Sequence, residues 1–344
     1  MRRLALRVFA GMLLAGMAHA AAVEPSSTNG SSLETIVVTG EQPGPGLWRV
    51  SKDEHVMWVL GTLSPLPRRL EWRTAEVERR IGESQQVLLA PQVKMEANVG
   101  FFGQLVLLPS LIGIRDNPGG AKLADVLPAE LYERWRVLKQ RYIGRSGKVE
   151  QWRPIFAARE LYESAIGGAG LAEKPIVTDA VRKAAKKAGV PLTPVLLEIG
   201  IDSPKAALKD FKKAELDDQE CFRRTLERVD TDLAHMAERA NAWSTGDLAA
   251  LRALPHVDEM GPCRAAITKL SIMRERGLDD IEARLRDAWL EAATSALAHD
   301  ATSFAVLPMH LVVDADGYLA ELRRRGYAIE APDDGDAPLA SSSP

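Results

Sequence analysis

The sequence predicts an α/β (α+β) fold, in which a mixed central β-sheet built from N-terminal, middle and C-terminal strands carries a large helical insert. Three observations predict it. The apolar, β-prone run Val56–Leu60 ends at Gly61 and passes into a loop punctuated by Pro65 and Pro67, the pattern of a buried strand delivering a tight turn at its carboxyl end. Near the other end of the chain, Ser303–Leu307 runs into Pro308-Met309-His310 in the same manner. Between the two lie stretches of helical periodicity. In open α/β sheets ligands gather at the carboxyl ends of strands, so these two distant strand ends mark the place to look for a site.

A chain of 344 residues, 46% hydrophobic and 26% charged, has length for a sizeable core and the composition of a globular protein, not of a disordered or fibrous one. Arg2, Arg3 and Arg7 precede an apolar segment, Val8 to Met17, and Ala18-His19-Ala20. That is the pattern of a secretory signal over 1–20. The apolar segment is short for a bilayer, and no later stretch approaches ~20 uninterrupted apolar residues. No cysteine lies near the cleavage site, which argues against a lipid anchor. Export to a bacterial periplasm is the expectation. Cleavage would leave 41 basic and 47 acidic residues, a net charge of −6. Nothing in that balance suggests nucleic acid, which needs a clustered basic face. Cys221 and Cys263 suit an oxidising compartment and are predicted to form a disulfide. A metal pair fits less well, because neither has a Cys-x-x-Cys or a nearby histidine.

In chain order, residues 21–45 read as a mobile Ser, Gly and Pro-rich leader. Within it Thr35–Gly40 is similar to the short energy-coupling box of outer-membrane receptors that engage TonB; an ordinary β-prone tail segment is the plainer reading. Leu47–Ser51 and Val56–Leu60 predict a hairpin around Lys52–His55, with His55 facing solvent. A helix over Glu71–Glu83 comes next, and then a short buried strand at Val87–Leu89. The apolar stretch 95–114, broken at Pro109 and Gly113, predicts a buried or groove-lining helix. Further helices are expected over Pro128–Tyr142 and Trp152–Ser164. Pro175–Val177 reads as a strand before a helix capped by Thr178 and ended by Gly189, and Pro191–Leu197 as another strand. Glu198 would lie just beyond it. A long amphipathic helix is expected over Asp217–Asn241, with Trp243–Asp247 breaking the pattern before a shorter helix through Leu254. His235 and His256 read as surface residues. A helix over Leu278–His299 leads into the Ser303–Leu307 strand. A helix over Tyr318–Arg325, stopped by Gly326, and a strand at Tyr327–Ile329 close the domain (46–330), and residues 331–344 read as a disordered tail.

Gly46-Leu47-Trp48-Arg49-Val50, Trp58-Val59-Leu60-Gly61-Thr62-Leu63, Met309-His310-Leu311-Val312, Asp316-Gly317-Tyr318-Leu319 and Leu322–Tyr327 together resemble the TraB/GumN family, relatives of the Tiki proteins. The resemblance implies a Gly-x-x-His at each strand end and an acidic residue after the second strand, thought to bind a divalent metal for hydrolysis, with peptide bonds as substrate in the Tiki branch. This chain departs from that pattern. Aligned by that resemblance, Ser64 occupies the first histidine position, Leu307 the glycine position of the second motif, and Ala90 the acidic position. His310 survives, and Glu198 matches a position where the family has a glutamate; its alternative is a capping or ion-paired structural carboxylate.

A catalytic metal needs about three protein ligands, and the resemblance leaves His310 and Glu198. A second option is a Ser64 nucleophile activated by His310 and oriented by Glu198, although Ser64 lies in no Gly-x-Ser-x-Gly elbow. The preferred reading is a catalytically degenerate periplasmic domain without a cofactor, binding a peptide or an envelope protein.

Overall fold

The computed structural model describes residues 40–97, 107–201, 203–254, 261–268 and 280–333. The expected signal, the leader through Thr39, His256, residues 278 and 279 and the tail from 334 lie outside them. In chain order the strands are β1 (Glu41–Gln42), β2 (Leu47–Lys52), β3 (His55–Thr62), β4 (Leu66–Pro67), β5 (Glu71–Trp72), β6 (Val87–Leu88), β7 (Gln92–Ala97), β8 (Leu171–Ala172), β9 (Leu192–Thr193), β10 (Leu196–Ile201), β11 (Thr302–Pro308) and β12 (Ala328–Glu330).

The main sheet has the order β12-β2-β3-β11-β6-β9, with antiparallel pairing from β12 to β3 and parallel pairing from β3 to β9. N-terminal, middle and C-terminal segments therefore all contribute, as expected. The β2–β3 hairpin turns through Asp53, whose φ of 54° is in the left-handed region that Asp tolerates better than most residues. In β11, Ser303–Leu307 are all buried, the state of a parallel strand covered on both faces. Helix α1 (Ala75–Gly82) buries Val77 and Ile81.

The helical insert comprises α2 (Ala129–Tyr142), α3 (Pro154–Gly168), α4 (Ile176–Ala188), α5 (Pro204–Lys213), α6 (Gln219–Thr231), α7 (Leu233–Thr245), α8 (Leu248–Ala253) and α9 (Gly261–Thr268). Then come α10 (Ile281–His299), α11 (Met309–Val313) and α12 (Tyr318–Arg324). Helices α1 and α4 pack together, while α10 lies on β3 and β11. Cys221 of α6 and Cys263 of α9 are bridged, with Cα atoms 4.5 Å apart. Gly189 and Gly326, at φ 72° and 86°, take up the left-handed backbone that ends a helix. No helix among the described residues is long and apolar enough to cross a membrane.

Several local expectations change. Residues 41–45 of the leader are held: β1 pairs with β5, and the Gly44 N–H donates to the Ser244 carbonyl at 2.8 Å. The expected helix over Glu71–Glu83 starts only at Ala75, because Glu71 and Trp72 form β5. Residues 95–97 belong to β7 instead of a helix. Ile176 and Val177 start α4 with Pro175 before them, so Thr178 is inside the helix and the preceding strand is β8. The long helix over 217–241 is two, broken at Asp232, and α7 continues through Trp243 to a left-handed Gly246. The break falls at Asp232, whose φ of −109° and ψ of 0° leave the helical region, and whose carboxylate accepts from Arg239 and pairs with His235 along α7. His55 is the first residue of β3, its Nδ1 2.7 Å from the Asp300 carbonyl, so it donates there instead of facing solvent.

The insert is organised around a buried cation. Arg153, 2% exposed, immediately precedes α3. Its Nη1 donates to the Ala214 carbonyl at 2.8 Å, its Nη2 to those of Phe211 and Lys212 at 2.9 and 2.8 Å, and its Nε to that of Asp116 at 3.2 Å. Three of these acceptors end α5, where helical carbonyls lack partners and the helix dipole favours a cation. Asp218, before α6, accepts from the Ile155 N–H at 2.9 Å, satisfying a donor in the first turn of α3. Burial pushes the Asp218 carboxyl above its ordinary value, more than the Arg153 charge lowers it.

Arg153→Met leaves four part-buried carbonyls without their guanidinium donor and should cost about 3–5 kcal/mol of stability, read as a fall in urea midpoint. Because the folded pKa of Asp218 is raised, its contribution to stability is full below the unfolded value and is lost as pH rises through the folded one. Asp218→Asn should therefore gain stability relative to the wild type as pH rises from about 4 to neutrality. Urea unfolding of both proteins across that range checks the sign; a constant difference contradicts it.

Candidate functional site

The two strand ends singled out in the sequence are neighbours. β11 pairs with β3 in parallel from Thr302↔Val56 through Pro308↔Thr62. Ser64 and His310 thus each lie two residues past the last paired position, at the same edge of the sheet. The Thr62 hydroxyl fastens this edge by donating to the Leu307 carbonyl at 3.2 Å.

Beyond the paired positions the two segments diverge. Ser64 is exposed, is joined to Pro65 by a cis peptide bond, and its hydroxyl has no hydrogen-bond partner among the described residues. The chain then turns into the helical insert. Leu66 and Pro67 pair with Leu171 and Ala172, and the Arg68 guanidinium donates to the Gly167 and Leu171 carbonyls. On the other strand Met309 starts α11, which holds His310 half-buried.

The edge between them is filled. A Cβ on Gly61 would fall 2.6 Å from Met309 Cε and 2.7 Å from its Sδ, so the thioether lies directly on the glycine. Trp243 Nε1 donates to the Gly61 carbonyl at 2.8 Å, and its fully buried ring meets Trp72 edge-on at 5.5 Å. Leu66, Leu307 and Met309 are buried alongside. In the sequence Trp243 reads only as a pattern breaker, because nothing local says that an indole reaches a strand 182 positions away.

Glu198 does not join this edge. The expected strand over 191–197 is divided: β9 ends the main sheet, and β10 continues with β7 as a separate parallel ribbon. Glu198 sits within β10, not beyond a strand, and its carboxylate accepts from Lys94 Nζ at 3.3 Å. Its structural alternative, an ion-paired carboxylate, is the arrangement found.

These donors do not fit the divalent metal that the family resemblance implies. Ala90 and Leu307 offer no electron pair, Glu198 is engaged elsewhere, and no three His, Cys, Asp or Glu side chains among the described residues converge where a metal could be held. A cavity of about 240 Å³ opens elsewhere, beside Arg68, Arg159, Glu163 and Glu173. Arg159 there is paired with both glutamates, and the Arg68 guanidinium is held by the Gly167 and Leu171 carbonyls.

Gly61→Ala should destabilise the protein by about 1–3 kcal/mol through overpacking against Met309. The same substitution in a Met309→Ala background should cost close to nothing. A double-mutant cycle by urea denaturation reads this coupling; additive effects would mean that Met309 does not seal Gly61.

The other motif residues also serve packing. A Cβ on Gly46 would strike Pro332 at 2.2 Å, and one on Gly317 would meet the Leu311 carbonyl oxygen at 2.6 Å. Trp48 is buried beside Gly61. No curated protein and no solved structure matches the chain. The model of the TraB/PrgY/gumN family matches residues 46–331, which includes every one of these motif positions. By that match over most of its length, the chain belongs to the TraB/PrgY/gumN family.

Proposed function

We propose that this protein is an exported, periplasmic member of its family that has lost hydrolytic chemistry and acts by binding a peptide or an envelope protein, without a metal cofactor. One observation carries the reading. The strand edge where the family motifs meet is sealed by Met309 and Trp243 and, among the described residues, keeps one imidazole of the motif, His310. A metal held by one imidazole would lack the ligand count that hydrolytic sites use. Leu307 in the glycine position of the motif agrees, because a side chain there forecloses close approach of substrate to the backbone. The Cys221–Cys263 bridge is compatible with the oxidising compartment that the N-terminal pattern suggests.

The Ser64–His310 hydrolase is the second reading, favoured by the register that puts both residues two positions past the Thr62–Pro308 pair. Exposure of Ser64 would admit a substrate, while the absence of an evident oxyanion donor set weighs against it.

The test uses the full chain purified under mild conditions. Elemental analysis should find below about 0.1 divalent ion per chain, and neither peptides nor esters should turn over with or without added zinc or manganese. Stoichiometric metal, with turnover abolished by His310→Ala, would restore the metallohydrolase. Labelling of Ser64 by a fluorophosphonate probe, lost in His310→Ala, would establish the serine reading instead.

A further inference from the structure

The β7–β10 ribbon leaves the main sheet with a feature that the site does not use. Residues paired across a parallel ladder point to one face, and here Gln92, Lys94 and Glu96 share a face with Leu196, Glu198 and Gly200. Lys94 bridges to Glu96 at 2.6 Å and to Glu198 at 3.3 Å on that polar face. The opposite face is apolar. Its β10 half is covered, with Ile199 buried beside α10, but its β7 half is open, with Val93 39% and Met95 52% exposed.

The outer edge of β7 is open as well. The Gln92 N–H donates inward to Val195 at 3.0 Å, so the alternation of a strand turns the backbone groups of Lys94 and Glu96 toward β10 and those of Val93 and Met95 away from it. Among the described residues β7 pairs only with β10. An isolated two-stranded ribbon is marginally stable at best in water, and an open edge beside exposed apolar side chains invites another strand.

We propose that the occupant is a second copy of this chain, pairing β7 with β7 in antiparallel fashion about a two-fold axis at Met95. The charge pattern selects this partner. A two-fold at Met95 sets Lys94 of one copy opposite Glu96 of the other, twice, so the strand is complementary to itself. Met95 becomes a hydrogen-bonded pair with its own copy, using the outward backbone groups. Lys94 and Glu96 become non-hydrogen-bonded pairs, in which side chains approach most closely. The apolar faces then align into one four-stranded sheet with Val93 and Met95 of both copies at its centre.

Sedimentation or light scattering at tens of micromolar should give twice the chain mass. Lys94→Glu and Glu96→Lys should each weaken association at least tenfold by placing like charges opposite one another. Mixing the two variants in equal amounts should restore a dimer, since one then carries carboxylates at both positions and the other ammonium groups at both. That rescue separates pairing from simple damage to the ribbon. Met95→Pro should abolish association while circular dichroism stays native, because the N–H it removes points away from β10. A wild-type monomer throughout this range overturns the proposal, whatever else covers the ribbon. So does a dimer that survives both charge variants, or variants that mixing fails to rescue.

Discussion

The parallel ladder between β3 and β11 is the constraint on which the rest of this structure depends. It joins residues some 245 positions apart, and everything between them folds as an excursion from it. Loop-closure entropy grows only logarithmically with length, so the excursion can hold an extensive helical insert without prohibitive cost. The ladder also fixes the site: once Thr62 and Pro308 are paired, the loops after both strands leave the sheet at the same level. In open α/β sheets ligands gather where such loops diverge.

At that point the chain has used its side chains for cohesion. Gly61 lacks a Cβ because Met309 occupies the space, and its carbonyl is satisfied by the Trp243 indole. Substrate approach and metal binding both require the opposite, an accessible backbone and several convergent electron pairs. At the motif glycines 46, 61 and 317 a Cβ would meet a neighbour at 2.2, 2.6 and 2.6 Å. Packing alone is therefore sufficient to require glycine at these three positions.

The insert is held by different means. Arg153 gathers the carbonyls that end α5, Asp218 takes up a donor at the start of α3, and the Cys221–Cys263 bridge ties α6 to α9. Burial of these charges is tolerated because hydrogen bonds replace the water they lose. The exposed ion pairs, such as those of Glu76 with Arg79 and Arg80, contribute far less, since solvent screens them. The contacts of Arg153 and Asp218 lock distant segments together over an apolar core that includes Trp135, Leu161, Phe222 and Leu226.

The sequence by itself determined the elements whose causes are local. The β2–β3 hairpin, the buried β11, the helices with a regular apolar stripe and the glycine stops at 189 and 326 were legible because periodicity and backbone preference act within a few residues. The tertiary structure alone decided the partners. Nothing near Arg153 distinguishes it from a solvated surface arginine, and nothing near Trp243 announces Gly61. Glu198 could be aligned by resemblance, yet its pairing with Lys94 came from the register of β7 with β10. Residues 95–97 have an apolar neighbourhood suited to a helix, and pairing with β10 made them strand. Such outcomes depend on which segments meet, a free-energy balance over the whole chain that no local pattern records.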